Sequence, residues 1–261
     1  MLLAVDVGNT NIVLGLFDGT GDDAALVHDW RMRTDARMTA DELALTVRGL
    51  LGEHAGRVTG VAALSTVPAV LRELKVMLDR YWADLPRVVV EPGVRTGVPL
   101  HYDNPREVGA DRVVNTLAAH ALYGGPAVVV DFGTSTNFDV VGERGEFLGG
   151  ALAPGIEISV DALAARAAQL VKVQLVRPRS VIGKSTVEAL QSGLLYGFAG
   201  QVDGMVRRIT AELAPGAPES VAVVATGGLA PLVIAEAETL QHHAPYLTLH
   251  GLRMVYARNR P

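Results

Sequence analysis

Asp6 stands near the end of an apolar run, Leu2 to Val7, and Gly8, Asn9, Thr10 and Asn11 separate that run from a second one, Ile12 to Phe17. Asp131 stands in the same context. It ends the run Ala127 to Asp131, and Gly133-Thr134 precede another apolar stretch, Phe138 to Val141. A glycine at such a turn lets the backbone approach a ligand closely and tolerates positive φ. Threonine and asparagine side chains add donors, and successive turn N–H groups form an anion-binding concavity. A carboxylate there would repel a bare phosphate, so the arrangement suits a polyphosphate carrying a divalent cation. The two copies lie nearly half the chain apart, which is too long a period for a solenoid and fits a duplicated lobe. Two such lobes facing each other would clamp one nucleotide in the cleft between them.

A third group is Gly109-Ala110-Asp111-Arg112. An acid in the first turn of a helix complements the helix dipole. The same carboxylate could accept the proton of an attacking alcohol, a contribution of ~10²–10⁴-fold. Arg112 either pairs with Asp111 or Glu107, or recognises a substrate carboxylate with its guanidinium fork. Tyr102 serves equally as a core cap or as a ring with its hydroxyl at a pocket rim. Thr186 follows Ser185 and either begins a helix or lines a site. No G-x-x-x-x-G-K-[ST] loop occurs: Gly183-Lys184-Ser185-Thr186 has only its ending, with Pro178 where the first glycine belongs.

Strand-like and helix-like runs alternate, the pattern of an α/β protein. After the first two strands, Leu26 to Arg33 reads as a third, antiparallel strand. Thr39 and Glu42 form a capping box before a helix. Val58 to Leu64 is a strand, Pro68 opens a helix, and Val88 to Val90 reads as a short buried strand. Pro92 to Asn104 is a loop, and a helix runs from Pro105 to about Tyr123. Glu146 to Leu148 pairs with Phe138 to Val141 around Gly142–Gly145. Ala153-Pro154-Gly155 is a turn before a helix ending near Leu170. Ser185 and Glu188 form a second capping box, launching a helix to about Leu213 with glycines at 193, 197, 200 and 204. The strand Val221 to Ala225 leads into Thr226-Gly227-Gly228. The end of the chain is ambiguous, with Arg253, Arg258 and Arg260 read as a solvated tail.

The 261 residues, 49% hydrophobic and 20% charged, are enough for a sizeable core without a disorder signature. A net charge of −5 argues against a general nucleic-acid binder. The absence of cysteine excludes disulfides, thiolate metal sites and a Cys nucleophile. No stretch reads as a secretory signal or a bilayer span, so the expectation is a cytoplasmic protein with neither nucleic-acid nor membrane partners.

The two Asp-x-Gly-x-Thr turns resemble the phosphate motifs of the actin, Hsp70 and sugar-kinase superfamily, and Thr226–Gly228 resembles its adenosine motif. Within it, the ordered set DVGNTN at Asp6, Tyr102, GADR at Gly109–Arg112, DFGT at Asp131–Thr134, GG-x-x-x-PG at Gly149–Gly155, IGKST at Ile182–Thr186 and ATGG at Ala225–Gly228 is similar to type III pantothenate kinases. The resemblance covers nearly the whole chain. It implies two duplicated ribonuclease H-like lobes, residues 1–117 and 118–261, with mixed five-stranded sheets flanked by helices. It implies ATP-dependent phosphorylation of pantothenate, the first step toward coenzyme A, by a homodimer using Mg²⁺ and K⁺ or NH4⁺. Asp6, Val7, Gly8, Asn9, Thr10, Asn11, Ile12, Val13 and Thr134 would bind ATP, and Asp131 would be a K⁺ ligand. Asp111 would be the general base. Tyr102, Gly109, Ala110, Asp111, Arg112 and Thr186 would line the pantothenate pocket. One departure is Asn137, where the family usually has a second threonine. Competing readings are another small-molecule kinase, a ribonuclease H-like nuclease and a non-catalytic nucleotide sensor. Few aromatics disfavour a sugar site, and the acidic balance disfavours a nuclease.

Overall fold

The computed structural model describes residues 1–166 and 173–260. The chain forms two compact units. One comprises Met1–Val98, Asp103–Ala118 and Leu247–Pro261, the other Pro99–Tyr102 and Ala119–Tyr246.

The first unit is built on β1 (Leu2–Val7), β2 (Asn11–Phe17) and β3 (Leu26–Arg33), an antiparallel meander. Helix α1 (Ala40–Leu51) follows, its Thr39–Glu42 capping box formed as its sequence predicts. Then come β4 (Gly60–Ser65), α2 (Pro68–Tyr81) and β5 (Arg87–Val89). Both β4 and β5 join in parallel, giving the sheet order β3-β2-β1-β4-β5. Strand β5 is shorter and more exposed than a buried strand, because it forms the sheet edge. Alternation divides the sheet into two faces. Leu3, Val5, Val7, Ile12, Leu14 and Leu16 pack on α1 and α2 through Leu43, Val47, Leu74 and Met77. Asp6 belongs to the opposite face.

The expected helix from Pro105 is interrupted. Pro105–Glu107 make a single 3-10 turn, Val108 is extended, and α3 runs from Ala110 to Tyr123. The break puts Asp111 in the first turn of α3.

The second unit repeats the plan with β6 (Ala127–Phe132), β7 (Ser135–Val141), β8 (Phe147–Pro154), α4 (Ile156–Arg166), α5 (Thr186–Leu213), β9 (Ala222–Thr226), α6 (Ala230–Val233) and β10 (His242–His243). Its sheet order, β10-β9-β6-β7-β8, has the connectivity of the first sheet, with the same antiparallel meander and parallel additions. The duplication expected from the two Asp-x-Gly turns is therefore present in the topology. Ala153 and Pro154 are not a turn but the end of β8, where Pro154 pairs with Ser135. An edge strand tolerates the missing N–H. The expected helix end near Leu170 lies outside the described residues. Ser185 caps α5 by accepting from Glu188 N–H, but the Glu188 carboxylate accepts from Lys184 N–H and from Arg179 instead of closing a box on Ser185. One face of the second sheet packs Val128, Val130, Phe132 and Phe138 on α4, α5 and α6.

The end of the chain is a helix, α7 (Leu247–Asn259), and it packs on β1 and β4 of the first sheet. A single cut at 117/118 therefore separates α7 from the sheet it covers. Gly15 and Gly60 lack the side chains that would collide with Leu249 and Tyr256 of this helix. Arg253 is not solvated. It is 2% exposed and donates to the Thr20 and Gly21 carbonyls, tying α7 to the loop after β2.

Candidate active site

In the first unit the turn between β1 and β2 consists of Gly8, Asn9 and Thr10, closed by Gly8 N–H donating to the Asn11 carbonyl at 3.0 Å. Asn9 and Thr10 are exposed, while Gly8 and Asn11 are half-buried. A residue that the sequence reading missed holds the turn. Thr34, just beyond β3, donates through Oγ1 to the Gly8 carbonyl at 2.7 Å and through its N–H to the Thr10 carbonyl at 3.0 Å. This fixes the loop backbone without using the turn's own side chains.

Asp6 pairs in register with Val13 on β2 and Leu64 on β4. Its face is the one covered by α7, and Gly251 of α7 lies against Val114 of α3. Burial pushes the Asp6 carboxyl up to about 7, the charge of Asp111 pushes in the same direction, and Arg31 opposes them. The structure thus brings Asp6 and Asp111 within electrostatic reach of each other, although they are far apart in sequence. Asp111 is itself raised, mainly by burial, against the Arg112 N–H and the Arg112 charge. That N–H donates to Asp111 Oδ1 at 2.9 Å. Any side chain at Gly109 would collide with the same oxygen, so the residue before the helix must be small. Arg112 is buried, and Ala110 is half-buried at the start of α3, whereas Val7 and Ile12 turn to the opposite face of the sheet, against α1 and α2.

Two buried carboxylates, one of which raises the proton affinity of the other, form a site short of positive charge. Oxygen donors of this kind fit Mg²⁺, a hard cation.

In the second unit, Gly133 and Thr134 make the corresponding tight turn, with Gly133 N–H donating to the Ser135 carbonyl. Asp131 is flanked in register by Asn137 and Thr226, so three oxygen-bearing side chains share one row and one face. The Ser135 hydroxyl donates to Asn137 Oδ1 at 2.6 Å. Gly227, at φ +90, lies where a Cβ would strike Asp131 Oδ1 and the Phe132 carbonyl. The Thr226-Gly227-Gly228 turn is thereby pressed against the Asp131 turn. Such a donor set, one carboxylate with neutral oxygens, suits a hard cation. Among the described residues, no group of three or more His, Asp or Glu could hold a metal ion.

Tyr102 belongs to the second unit. Its ring lies 5.8 Å from that of Phe147, beside Gly149, and the strand-like pairing of Pro99 and His101 with Phe147 holds it there. Thr186 is the exposed first residue of α5. Tyr102, Asp131, Thr134 and Thr186 thus sit in one unit, and Asp6 to Val13 with Gly109 to Arg112 in the other.

The family model for type III pantothenate kinases matches residues 2–208. The chain is 72% identical over 262 residues to the type III pantothenate kinase of Saccharopolyspora erythraea, with 99% of each covered. It is 67% identical over 260 residues to that of Rhodococcus opacus, covering 100% of this chain and 96% of the relative. The chain belongs to the type III pantothenate kinase family. It is accordingly a phosphotransferase.

Solved structures share the fold at low identity. A Campylobacter jejuni protein described as a Baf family transcriptional activator aligns with a TM-score of 0.60 at 17% identity, over 98% of both chains. An inorganic polyphosphate/ATP-glucomannokinase from Arthrobacter aligns at 0.51 and 14%, over 99% of both. Type III pantothenate kinase membership and this fold agree with the sheet duplication. No helix among the described residues is long and apolar enough to cross a membrane.

Proposed function

We propose that the chain transfers the γ-phosphoryl group of ATP to the primary hydroxyl of pantothenate, giving 4'-phosphopantothenate in the first step toward coenzyme A, with Asp111 as the general base. The observation that carries this reading is the electrostatic coupling of Asp111 to Asp6 within a unit that also presents the Gly8–Asn11 turn. Burial raises the basicity of Asp111, and a base closer in pKa to its surroundings takes an alcohol proton more readily. The hydroxyl proton passes to Asp111, the alcohol oxygen bonds to the γ-phosphorus, and ADP leaves as the bond to the bridging oxygen breaks.

The backbone N–H groups and side chains of residues 6–13, together with Thr134, bind the ATP phosphates in this reading. Asp6 would hold Mg²⁺, directly or through water. Bound there, the ion would neutralise phosphate charge. Asp131, with the oxygens of Asn137 and Thr226 in its row, would hold K⁺ or NH4⁺. Tyr102, Gly109, Ala110, Arg112 and Thr186 would receive pantothenate, with Arg112 toward its carboxylate. Gly193, Gly197 and Gly200 of α5 face open space and supply a smooth stripe for a second copy of the chain, so the working form is a homodimer. The cytoplasm, where ATP is made and used, is its setting.

An ADP-release assay with ATP and Mg²⁺ tests the assignment. Pantothenate, a panel of sugars and no acceptor are compared, in K⁺ and in Na⁺. Turnover that requires pantothenate and falls in Na⁺ is expected. Turnover on a sugar but not on pantothenate would overturn the assignment in favour of a sugar kinase.

A further inference from the structure

Neither phosphate turn carries a cation. Residues 6–13 and 131–137 contain no Lys or Arg, and the first Lys or Arg of the whole chain is Arg31. A triphosphate with one divalent ion remains strongly anionic, and phosphoryl transfer draws on fixed positive groups for the balance.

Strand β3 is the place where such groups occur. In the pairing register Asp6 opposes Val13, and Val13 opposes Arg31. Directly opposed residues of an antiparallel ladder project to the same face, so Asp6 and Arg31 share a face across one intervening strand. Two strand spacings separate their backbones by about 10 Å, with Val13 between them on the same face. Two residues on, Arg33 opposes Asn11 and projects to that face as well, beside the turn itself. Both arginines are exposed. The end of β3 is not loose relative to the turn, because Thr34 donates to both Gly8 and Thr10 carbonyls. The influence of Arg31 already reaches Asp6, whose proton affinity it lowers.

We propose that Arg31 and Arg33 of β3 are the cationic ligands of the ATP phosphates at the first turn, supplying by register the positive charge that the turn lacks. This deepens the kinase reading and rests on it for the identity of the anion as a nucleotide triphosphate. Guanidinium forks bind phosphate oxygens in pairs, which orients the triphosphate as well as neutralising it.

The test is calorimetric binding of ATP with Mg²⁺ to the full chain and to Arg31→Gln, Arg33→Gln and the double variant, alongside steady-state kinetics. Loss of one charge-assisted phosphate contact is expected to weaken ATP binding by roughly tenfold per arginine. KM for ATP rises in parallel and KM for pantothenate stays within about twofold of the wild-type value, since the change is confined to the phosphate contact. Arg31→Lys restores part of the affinity because it keeps the charge and loses the fork. Both side chains are solvent-exposed, so unchanged circular dichroism is expected. ATP affinity of the double variant within about twofold of wild type would overturn the proposal. The binding readout does not depend on the acceptor. A wild-type protein that binds ATP through these arginines but leaves pantothenate unphosphorylated would refute the kinase assignment alone.

Discussion

Asp111, in the first turn of α3, raises the proton affinity of Asp6 on β1, and burial carries the Asp6 carboxyl up to about 7. The fold buries both acids and places Asp111 where its charge makes Asp6 harder to ionise. A protein keeps such a costly arrangement when a cationic partner arrives with the substrate.

The pH dependence of Mg²⁺-ATP binding follows from that coupling. In the proposed reading the cation is held by ionised Asp6, so affinity in the free protein is expected to rise as pH increases through about 7. Asp111→Asn removes the repelling charge and should move this midpoint toward lower pH. Titration calorimetry across the pH range measures it, and an unmoved midpoint would show that the two acids do not interact.

Asp6 should also weaken the fold. Its folded-state value lies above the ordinary 3.8, so the native protein binds the proton more tightly than the unfolded chain. Stability is then full below about pH 4 and falls as pH rises through about 7. Asp6→Asn is expected to be more stable than wild type by about 4 kcal/mol at alkaline pH, with no difference at acid pH. Thermal unfolding at both pH values measures this, and the same variant should have lost turnover.

Gly227 is expected to tolerate no side chain. Its φ of +90 disfavours any L residue, and a Cβ would meet Asp131 Oδ1 and the Phe132 carbonyl. Gly227→Ala should cost about 1–3 kcal/mol in denaturant unfolding and abolish the stimulation of turnover by K⁺. Retention of both would detach the adenosine-type turn from Asp131.

The glycine stripe of α5 gives a different kind of expectation. Gly197 is exposed, and a Cβ there meets nothing within 4 Å in the chain itself. Gly197→Leu should therefore leave the protomer folded while lowering the dimer fraction, as read by sedimentation. A variant that still sediments as the wild type does would place the subunit contact elsewhere.

Local chemistry explains which features the sequence disclosed. The Thr39–Glu42 box, the Pro68 helix start and the two Asp-x-Gly hairpins depend on neighbouring residues and occur where expected. Helix α7 was obscured because its buried face is partly polar. Arg253 and His250 lie against Phe17, and the helix is admitted by glycines on β2 and β4 rather than marked by its own periodicity. The Ser185 box was altered by Arg179, a competitor for Glu188 that lies outside the motif. At the site, the types and spacing of Asp6, Asp111 and Asp131 were legible. Thr34 and Arg31 were not, since a charged residue on an edge strand is ordinary. The pairing of β2 with β3 connects Arg31 to the turn, and hydrogen bonds to the Gly8 and Thr10 carbonyls connect Thr34.

The base assignment is most directly tested by kcat for pantothenate-dependent ADP release in Asp111→Asn, measured at saturating substrates with ATP binding followed in parallel. Loss of a general base should lower kcat by ~10²–10⁴-fold while ATP still binds. A kcat within about tenfold of wild type would contradict the account, because a carboxylate that accepts the hydroxyl proton cannot be replaced by an amide at so small a cost.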